Sequence, residues 1–167
     1  MESKVTDILK QAIIMENRGK SLYQMVAQQT PSPEVKEIFQ AMADEEQVHI
    51  EFLSKQFAYY KKNQTFDKNQ LEMASEEDAI ANSILTEKIK KDISGAGFES
   101  AAISAAIDME SKSIEVYEQR AKESNDPNEK ELYQWLAEWE KGHYKLLLDL
   151  NKQLTEKVWN DNNFWPF

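Results

Sequence analysis

The chain has 167 residues, of which 41% are hydrophobic, and 20 Lys and Arg against 30 Asp and Glu give a formal net charge of −10 at pH 7. This length fits one domain, and the apolar content is sufficient to bury a core, which argues against a disordered chain. The negative charge disfavours nucleic acid and anionic membranes as partners, and the absence of cysteine excludes disulfides and thiolate metal sites.

The N-terminal part of the chain has the apolar periodicity of two amphipathic helices. One stripe with helical spacing runs from Leu9 to Ala27, and a second runs from Phe39 to Leu53. Prolines between the two stripes predict a short turn. Because a short turn makes successive helices antiparallel, we expect a helical hairpin over residues 5–54.

A long connection separates this hairpin from a second one. Residues 55–97 form the predicted crossover, with one short helix near 77–93. Helical spacing then returns and is interrupted only at Pro127, which predicts a second hairpin over residues 98–153. We therefore expect a single all-α domain over residues 1–167, a four-helix bundle with one long crossover between helices 2 and 3.

The predicted helices are each about 20 to 25 residues long, and no run of about 18 apolar residues occurs. The N-terminus also lacks the apolar region of a leader peptide, so we expect a soluble cytoplasmic protein without a membrane partner. The C-terminal segment, residues 158–167, is rich in aromatic residues. We expect this tail to dock on its own bundle or on a neighbouring subunit, which leaves a homodimer open.

The two predicted hairpins repeat one another in sequence. A constant shift of 94 positions superimposes them without a gap, which predicts an approximate two-fold axis between the hairpins. The superimposed pairs that carry chemistry are Glu16 with Glu110, Tyr23 with Tyr117, Glu46 with Glu140, and His49 with His143.

The four repeated glutamates lie within the apolar stripes of their predicted helices. Glu16 is three residues after Ile13 and seven before Tyr23. His49 follows Glu46 by one turn on the same face, and the second hairpin repeats this pair. In each hairpin the midpoint between the two glutamates falls in the predicted turn, so antiparallel pairing places all four carboxylates and both imidazoles at one level.

Such a cluster of carboxylates requires a cation. An unpaired buried charge costs at least several kcal/mol, and the nearby basic residues Arg18, Lys20 and Lys112 lie only at the edges of the stripes. Two divalent cations would balance the four glutamates. Carboxylate and imidazole ligands favour iron or manganese, and the lack of thiolates argues against structural zinc. We therefore predict two iron ions per chain, with manganese or zinc as substitutes.

The pattern resembles the ferritin-like superfamily, and more closely the di-iron domain of rubrerythrins, over about residues 5–153. The motifs that carry the resemblance are Glu16-x6-Tyr23, Glu45-Glu46-x-x-His49, Glu110-x6-Tyr117 and Glu140-x-x-His143. The resemblance implies terminal ligands Glu16 and Glu110, bridging ligands Glu46 and Glu140, and one imidazole per iron from His49 and His143. It also implies that a diferrous centre reduces hydrogen peroxide, since its two irons supply the two electrons that cleave the O–O bond.

The chain departs from the rubrerythrin pattern in two ways. Ser113 stands where these proteins have an additional glutamate, three residues after the position of Glu110, and this puts their ligand-switching cycle in doubt. The cysteine-bearing rubredoxin module is also missing from these residues. Electrons are therefore expected from an external donor, such as a rubredoxin-like protein.

The repeated tyrosines, Tyr23 and Tyr117, are predicted to hydrogen-bond the ligand carboxylates, with an ordinary core position as the alternative. Trp135 and Trp139 lie beside Glu140, where packing is expected and roles in excluding water or carrying electrons stay open.

The sequence leaves open three functions other than a peroxidase. These are a ferroxidase that handles Fe(II), an oxygen-activating oxidase or hydroxylase, and a non-catalytic bundle in which metal only neutralises carboxylates.

Overall fold

The computed structural model describes residues 4–68 and 97–161, and within these ranges the chain is helical without strands. The helices are α1 (Lys4–Gln29), α2 (Pro33–Asn63), α3 (Gly97–Glu123) and α4 (Pro127–Asp161). Helix α1 packs against α2, α3 packs against α4, and α1 also contacts α3, so the two hairpins form one bundle. The predicted all-α four-helix architecture is therefore confirmed. The predicted helix near 77–93 and residues 162–167 of the tail lie outside the described residues.

Two helices are longer than the sequence predicts. Helix α2 has 31 residues and continues to Asn63, and α4 has 35 residues and continues to Asp161. The predicted helix ends at residues 54 and 153 were therefore wrong. Both helices continue past these positions because no proline or glycine interrupts either segment there. Helix α2 ends only where Gln64 adopts a left-handed conformation, with φ of 56°, and its N–H donates to the carbonyl of Tyr60.

The two short turns are as predicted, and in each a proline begins the following helix. Ser32 caps α2 by accepting a hydrogen bond of 3.3 Å from the N–H of Val35. Asp126 caps α4 by accepting from the N–H of Asn128 at 2.8 Å. Pro33 and Pro127 follow these caps directly, where the missing N–H is not needed by the helix.

The hydrophobic core is divided into two clusters along the bundle axis. One surrounds Phe39 and Leu147, and the other surrounds Leu53 and Leu136. On every helix, a buried glutamate lies between the two clusters, and on α2 and α4 a buried histidine lies there as well. The polar cluster therefore lies at mid-height, enclosed by apolar side chains above and below. Among the described residues, no helix combines the length and the apolar character needed to cross a lipid bilayer.

Candidate metal centre

The structure brings the six predicted ligand residues together, and each is at most 2% exposed. Each helix supplies one glutamate, and α2 and α4 each add a histidine one turn later. Their positions are Glu16 on α1, Glu46 and His49 on α2, Glu110 on α3, and Glu140 and His143 on α4. The cluster therefore spans both hairpins, so neither hairpin forms it alone.

These six residues form two overlapping groups in which one potential ligand atom from each member lies within 4.8 Å of the others. Glu46 and Glu140 belong to both groups. The first group adds Glu16 and His49 to this shared pair, and the second adds Glu110 and His143. Two neighbouring cations could therefore share the carboxylates of Glu46 and Glu140.

Both imidazoles turn Nδ1 toward the carboxylates. His49 Nδ1 lies 2.8 Å from Glu16 Oε2 and 3.3 Å from Glu46 Oε2. His143 Nδ1 lies 3.4 Å from Glu140 Oε2 and 3.6 Å from an oxygen of both Glu46 and Glu110. The two histidines thus offer the same ring nitrogen to the two groups.

The two repeated tyrosines connect the hairpins through the same carboxylates. Tyr23 on α1 donates a hydrogen bond to Glu110 Oε1 on α3, and Tyr117 on α3 donates to Glu16 Oε1 on α1. Both side chains are almost completely buried. Each hydroxyl therefore orients the glutamate of the opposite hairpin and occupies one of its oxygens, which leaves the other oxygen for a metal.

The pKa values of the cluster indicate an excess of carboxylate charge over the positive charge that its histidines can supply. Burial raises the pKa of Glu16 to about 7, with a further contribution from Glu46, and burial also raises the pKa of Glu140 well above its usual range. Burial opposes the charged form of His49 and His143 as well, but the surrounding carboxylates outweigh it and raise both pKa values. Without a cation, the cluster therefore holds protons that a bound metal would displace.

Glu46 behaves differently from its neighbours. Its burial raises the pKa, but the contacts with His143 and His49 outweigh that effect, so the pKa of Glu46 lies below its usual range. Glu46 therefore favours the ionised form that binds a cation, whereas burial and the neighbouring carboxylates raise the pKa of Glu140, the other shared carboxylate.

Several buried atoms of the cluster have no hydrogen-bond partner in the described part of the chain. They are Glu46 Oε2, Glu140 Oε2, His49 Nε2 and His143 Nδ1. The basic residues closest in sequence do not compensate, since Lys20 donates to Gln47 at 2.6 Å and Arg18 and Lys112 are exposed. Unpartnered carboxylate oxygens beside an imidazole nitrogen fit a divalent cation with hard and borderline ligands.

Sequence reasoning missed Glu45. Its Oε2 lies 2.7 Å from His143 Nε2, the ring nitrogen that faces away from the carboxylate cluster. Glu45 stands next to Glu46 in the motif, but neighbouring residues on a helix point about 100° apart, so the apolar stripe gives no sign of this contact. Only the packing of α4 beside α2 reveals it.

Trp135 and Trp139 fill the space between α4 and α2. The ring of Trp139 meets that of His49 edge-on, and Trp135 packs against Trp139 and Phe52 with ring centroids 4.5 and 4.6 Å apart. Both tryptophans are only partly exposed. These packed aromatic rings limit the access of water to the cluster on the side of His49.

Gly19 supplies the space that the carboxylate of Glu46 occupies. It is buried one turn after Glu16, and a Cβ at this position would lie 2.8 Å from Glu46 Oε1 and 3.2 Å from its Cδ. A methyl group therefore cannot be added without moving the shared carboxylate. By the repeat, Ser113 is the corresponding small residue on α3, and it too is buried.

We expect Gly19→Ala to weaken metal binding roughly tenfold, because the displaced carboxylate no longer reaches both metal positions. The substitution also raises helix propensity by up to about 1 kcal/mol, so a loss of metal affinity would not reflect a weaker helix. Metal titration followed by denaturant unfolding of the metal-free protein measures both effects. Ser21→Ala on the same helix is the control, since Ser21 is exposed and its hydroxyl donates to the carbonyl of Asn17, four residues earlier on that helix. Unchanged affinity in Gly19→Ala would contradict the requirement for glycine.

Comparison with known protein families supports the assignment of this site. The model of the family described as Rubrerythrin matches residues 7–151, a range that contains all six clustered residues, both tyrosines and Glu45. No curated protein and no solved structure matches the chain.

Proposed function

The chain belongs to the rubrerythrin family, and from this premise we propose that it is a non-haem di-iron peroxidase that reduces hydrogen peroxide with electrons from an external donor. The observation that carries the proposal is the sharing of Glu46 and Glu140 between the two potential metal groups. A shared pair of carboxylates suits two metals that act together on one small oxidant, because it holds them close to each other.

The ligand residues fit two ferrous ions. The proposed terminal ligands are Glu16 and Glu110, and the proposed bridging ligands are Glu46 and Glu140. His49 and His143 each complete one group through Nδ1. Two ferrous ions bound there would supply the two electrons that, with two protons, convert one hydrogen peroxide into two water molecules.

The protein contributes positioned ligands and exclusion of water. Tyr117 and Tyr23 fix the terminal carboxylates, so these can bind metal without reorganising. Glu16 has a pKa of about 7 in the metal-free cluster, so at neutral pH it can release its proton as a metal binds. Small-molecule oxidants suit this enclosed setting, since the cluster is buried on all four helices and bounded on one side by Trp135 and Trp139.

The proposed cycle keeps the same six ligands throughout. Ser113 is buried and cannot act as the extra carboxylate that would allow a metal to change ligands.

The electrons are proposed to come from an external carrier, because the chain has no cysteine to hold a redox centre of its own. A rubredoxin-like protein is the kind of donor that fits.

The test is a comparison of oxidants. We expect anaerobically prepared protein to bind two Fe(II) per chain, and hydrogen peroxide to oxidise it much faster than oxygen, as followed by its visible absorption in stopped flow. Faster oxidation by oxygen would contradict the peroxidase and favour an oxidase or hydroxylase, and turnover of excess Fe(II) would favour a ferroxidase. Metal-dependent stabilisation without any spectral response to either oxidant would identify a non-catalytic bundle.

A further inference from the structure

The two halves of the metal centre differ at the repeated position that contacts the imidazoles. The shift of 94 residues that superimposes every proposed ligand pairs Glu45 with Trp139. Glu45 contacts His143 across the bundle, and Trp139 contacts His49. The two imidazoles, which otherwise have equivalent roles, are thus held by a carboxylate in one case and by an indole ring in the other.

His143 is fixed by a hydrogen bond. With Nδ1 directed at the shared carboxylates, Nε2 carries the hydrogen and donates it to Glu45 Oε2 at 2.7 Å. The side chain of Glu45 is only 14% exposed, so water competes weakly for this bond. A carboxylate acceptor on the outer nitrogen fixes the orientation of the ring and increases electron density at the nitrogen that binds metal.

His49 is held by packing instead. Its Nε2 has no hydrogen-bond partner among residues 4–68 and 97–161, and its ring lies against Trp139, with Trp135 at a centroid distance of 6.1 Å. An indole ring limits the movement of the imidazole but offers no carboxylate to polarise it. As a ligand, His49 is therefore intrinsically weaker than His143.

We propose that the two metal positions are unequal and fill in order, and that Glu45 is the positioning residue that makes the His143 group bind the first divalent cation. That group contains Glu46, Glu110, Glu140 and His143. The cation in the Glu16 and His49 group then binds second and more weakly. The inference rests on the two-metal site of the proposed function, but not on its reaction with peroxide.

The experiment is a calorimetric titration of the metal-free full-length protein with Co(II), paired with the visible spectrum of the bound ion. We expect two resolved steps in the unmodified protein. Glu45→Gln should weaken the first step by roughly 10- to 100-fold and leave the second step and the unfolding of the metal-free protein nearly unchanged. A merely structural role for Glu45 would not change one binding step alone.

Two further variants distinguish the effect of the position of the Glu45 carboxylate from the effect of its charge. Glu51→Gln removes the same charge from an exposed position on the same helix, so both steps should persist at nearly their original affinities. Glu45→Asp keeps the charge but withdraws the carboxylate from His143, so it should weaken the first step as Glu45→Gln does. Affinities like those of the unmodified protein in Glu45→Asp would overturn the positioning role.

A third comparison assigns the step to its group. Glu110→Gln removes a ligand of the His143 group only, so adding Glu45→Gln to it should have little further effect. Glu16→Gln removes a ligand of the other group, and there Glu45→Gln should keep its full effect. Additive losses with Glu110→Gln, or two equal steps in the unmodified protein, would overturn the inference and leave the proposed function standing. Absence of Co(II) and Fe(II) binding would overturn both.

Discussion

Glu46→Gln is expected to reduce the metal content of the chain from two ions to at most one. Glu46 belongs to both ligand groups, and an amide is a poor ligand for iron, so the substitution weakens both positions at once. Glu16→Gln should instead remove one ion, since Glu16 belongs to one group. Elemental analysis after anaerobic loading with Fe(II), together with a Co(II) titration, measures this difference between a shared and an unshared carboxylate.

The same variant should make the metal-free protein less stable at neutral pH. The charge of Glu46 opposes those of Glu16 and Glu140, but its contacts with His143 and His49 outweigh burial and lower its own pKa. Glutamine preserves the side-chain volume but removes an ionised carboxylate that the two imidazoles stabilise, so the free energy of unfolding is expected to fall. Glu51→Gln is the control for net charge and should retain two ions. Unchanged or higher stability would contradict the pairing of Glu46 with the imidazoles, and two tightly bound ions would contradict its shared position.

The stability of the metal-free protein is expected to fall between pH 5 and pH 8. Folding raises the pKa of Glu16 from 4.5 to about 7, so this residue stabilises the fold at low pH and loses that contribution as pH rises through 7. The difference corresponds to on the order of 3 kcal/mol. Glu140, His49 and His143 also have raised pKa values and act in the same direction. Glu46, whose pKa is lowered, contributes above its unfolded value of 4.5, so it changes little over this range.

The metal-loaded protein should show the opposite trend. A divalent cation binds the ionised carboxylates and releases their protons, so affinity and the stabilisation that metal provides both increase with pH. Urea unfolding at pH 5, 6.5 and 8, with and without Mn(II), separates the two trends. Glu16→Gln should make the pH profile of the metal-free protein less steep, because one of its titrating groups is gone. Increasing stability of the metal-free protein up to pH 8 would contradict the protonation derived for the cluster.

The position of the site along the bundle axis could be predicted from the sequence. Helical periodicity fixes which residues share a face, and antiparallel pairing fixes their distance from the turn. Glu16 and Glu46 could thus be placed opposite each other from their distances to the turn alone. The ends of α2 and α4 could not be predicted in the same way, since a helix continues until a cap stops it, and the left-handed residue at Gln64 is not a glycine.

Local spacing also could not show which side chains meet across the bundle. The repeat marked Tyr23 and Tyr117 as a pair, but the lateral order of the helices directs each hydroxyl to the glutamate of the other hairpin. The space at Gly19 is equally invisible in the sequence, because it depends on how closely α1 approaches the carboxylate of Glu46.

The sequence by itself determined four amphipathic helices, two repeated hairpins and a buried acidic level with two histidines, because each of these follows from residue spacing along one chain. The family resemblance implied that Glu46 and Glu140 are shared, and the tertiary structure places each of them in both groups. Only the tertiary structure decided that Glu45 supports His143 while an indole ring faces His49. Those relations depend on the lateral packing and rotation of helices distant in sequence, which a helical period does not specify.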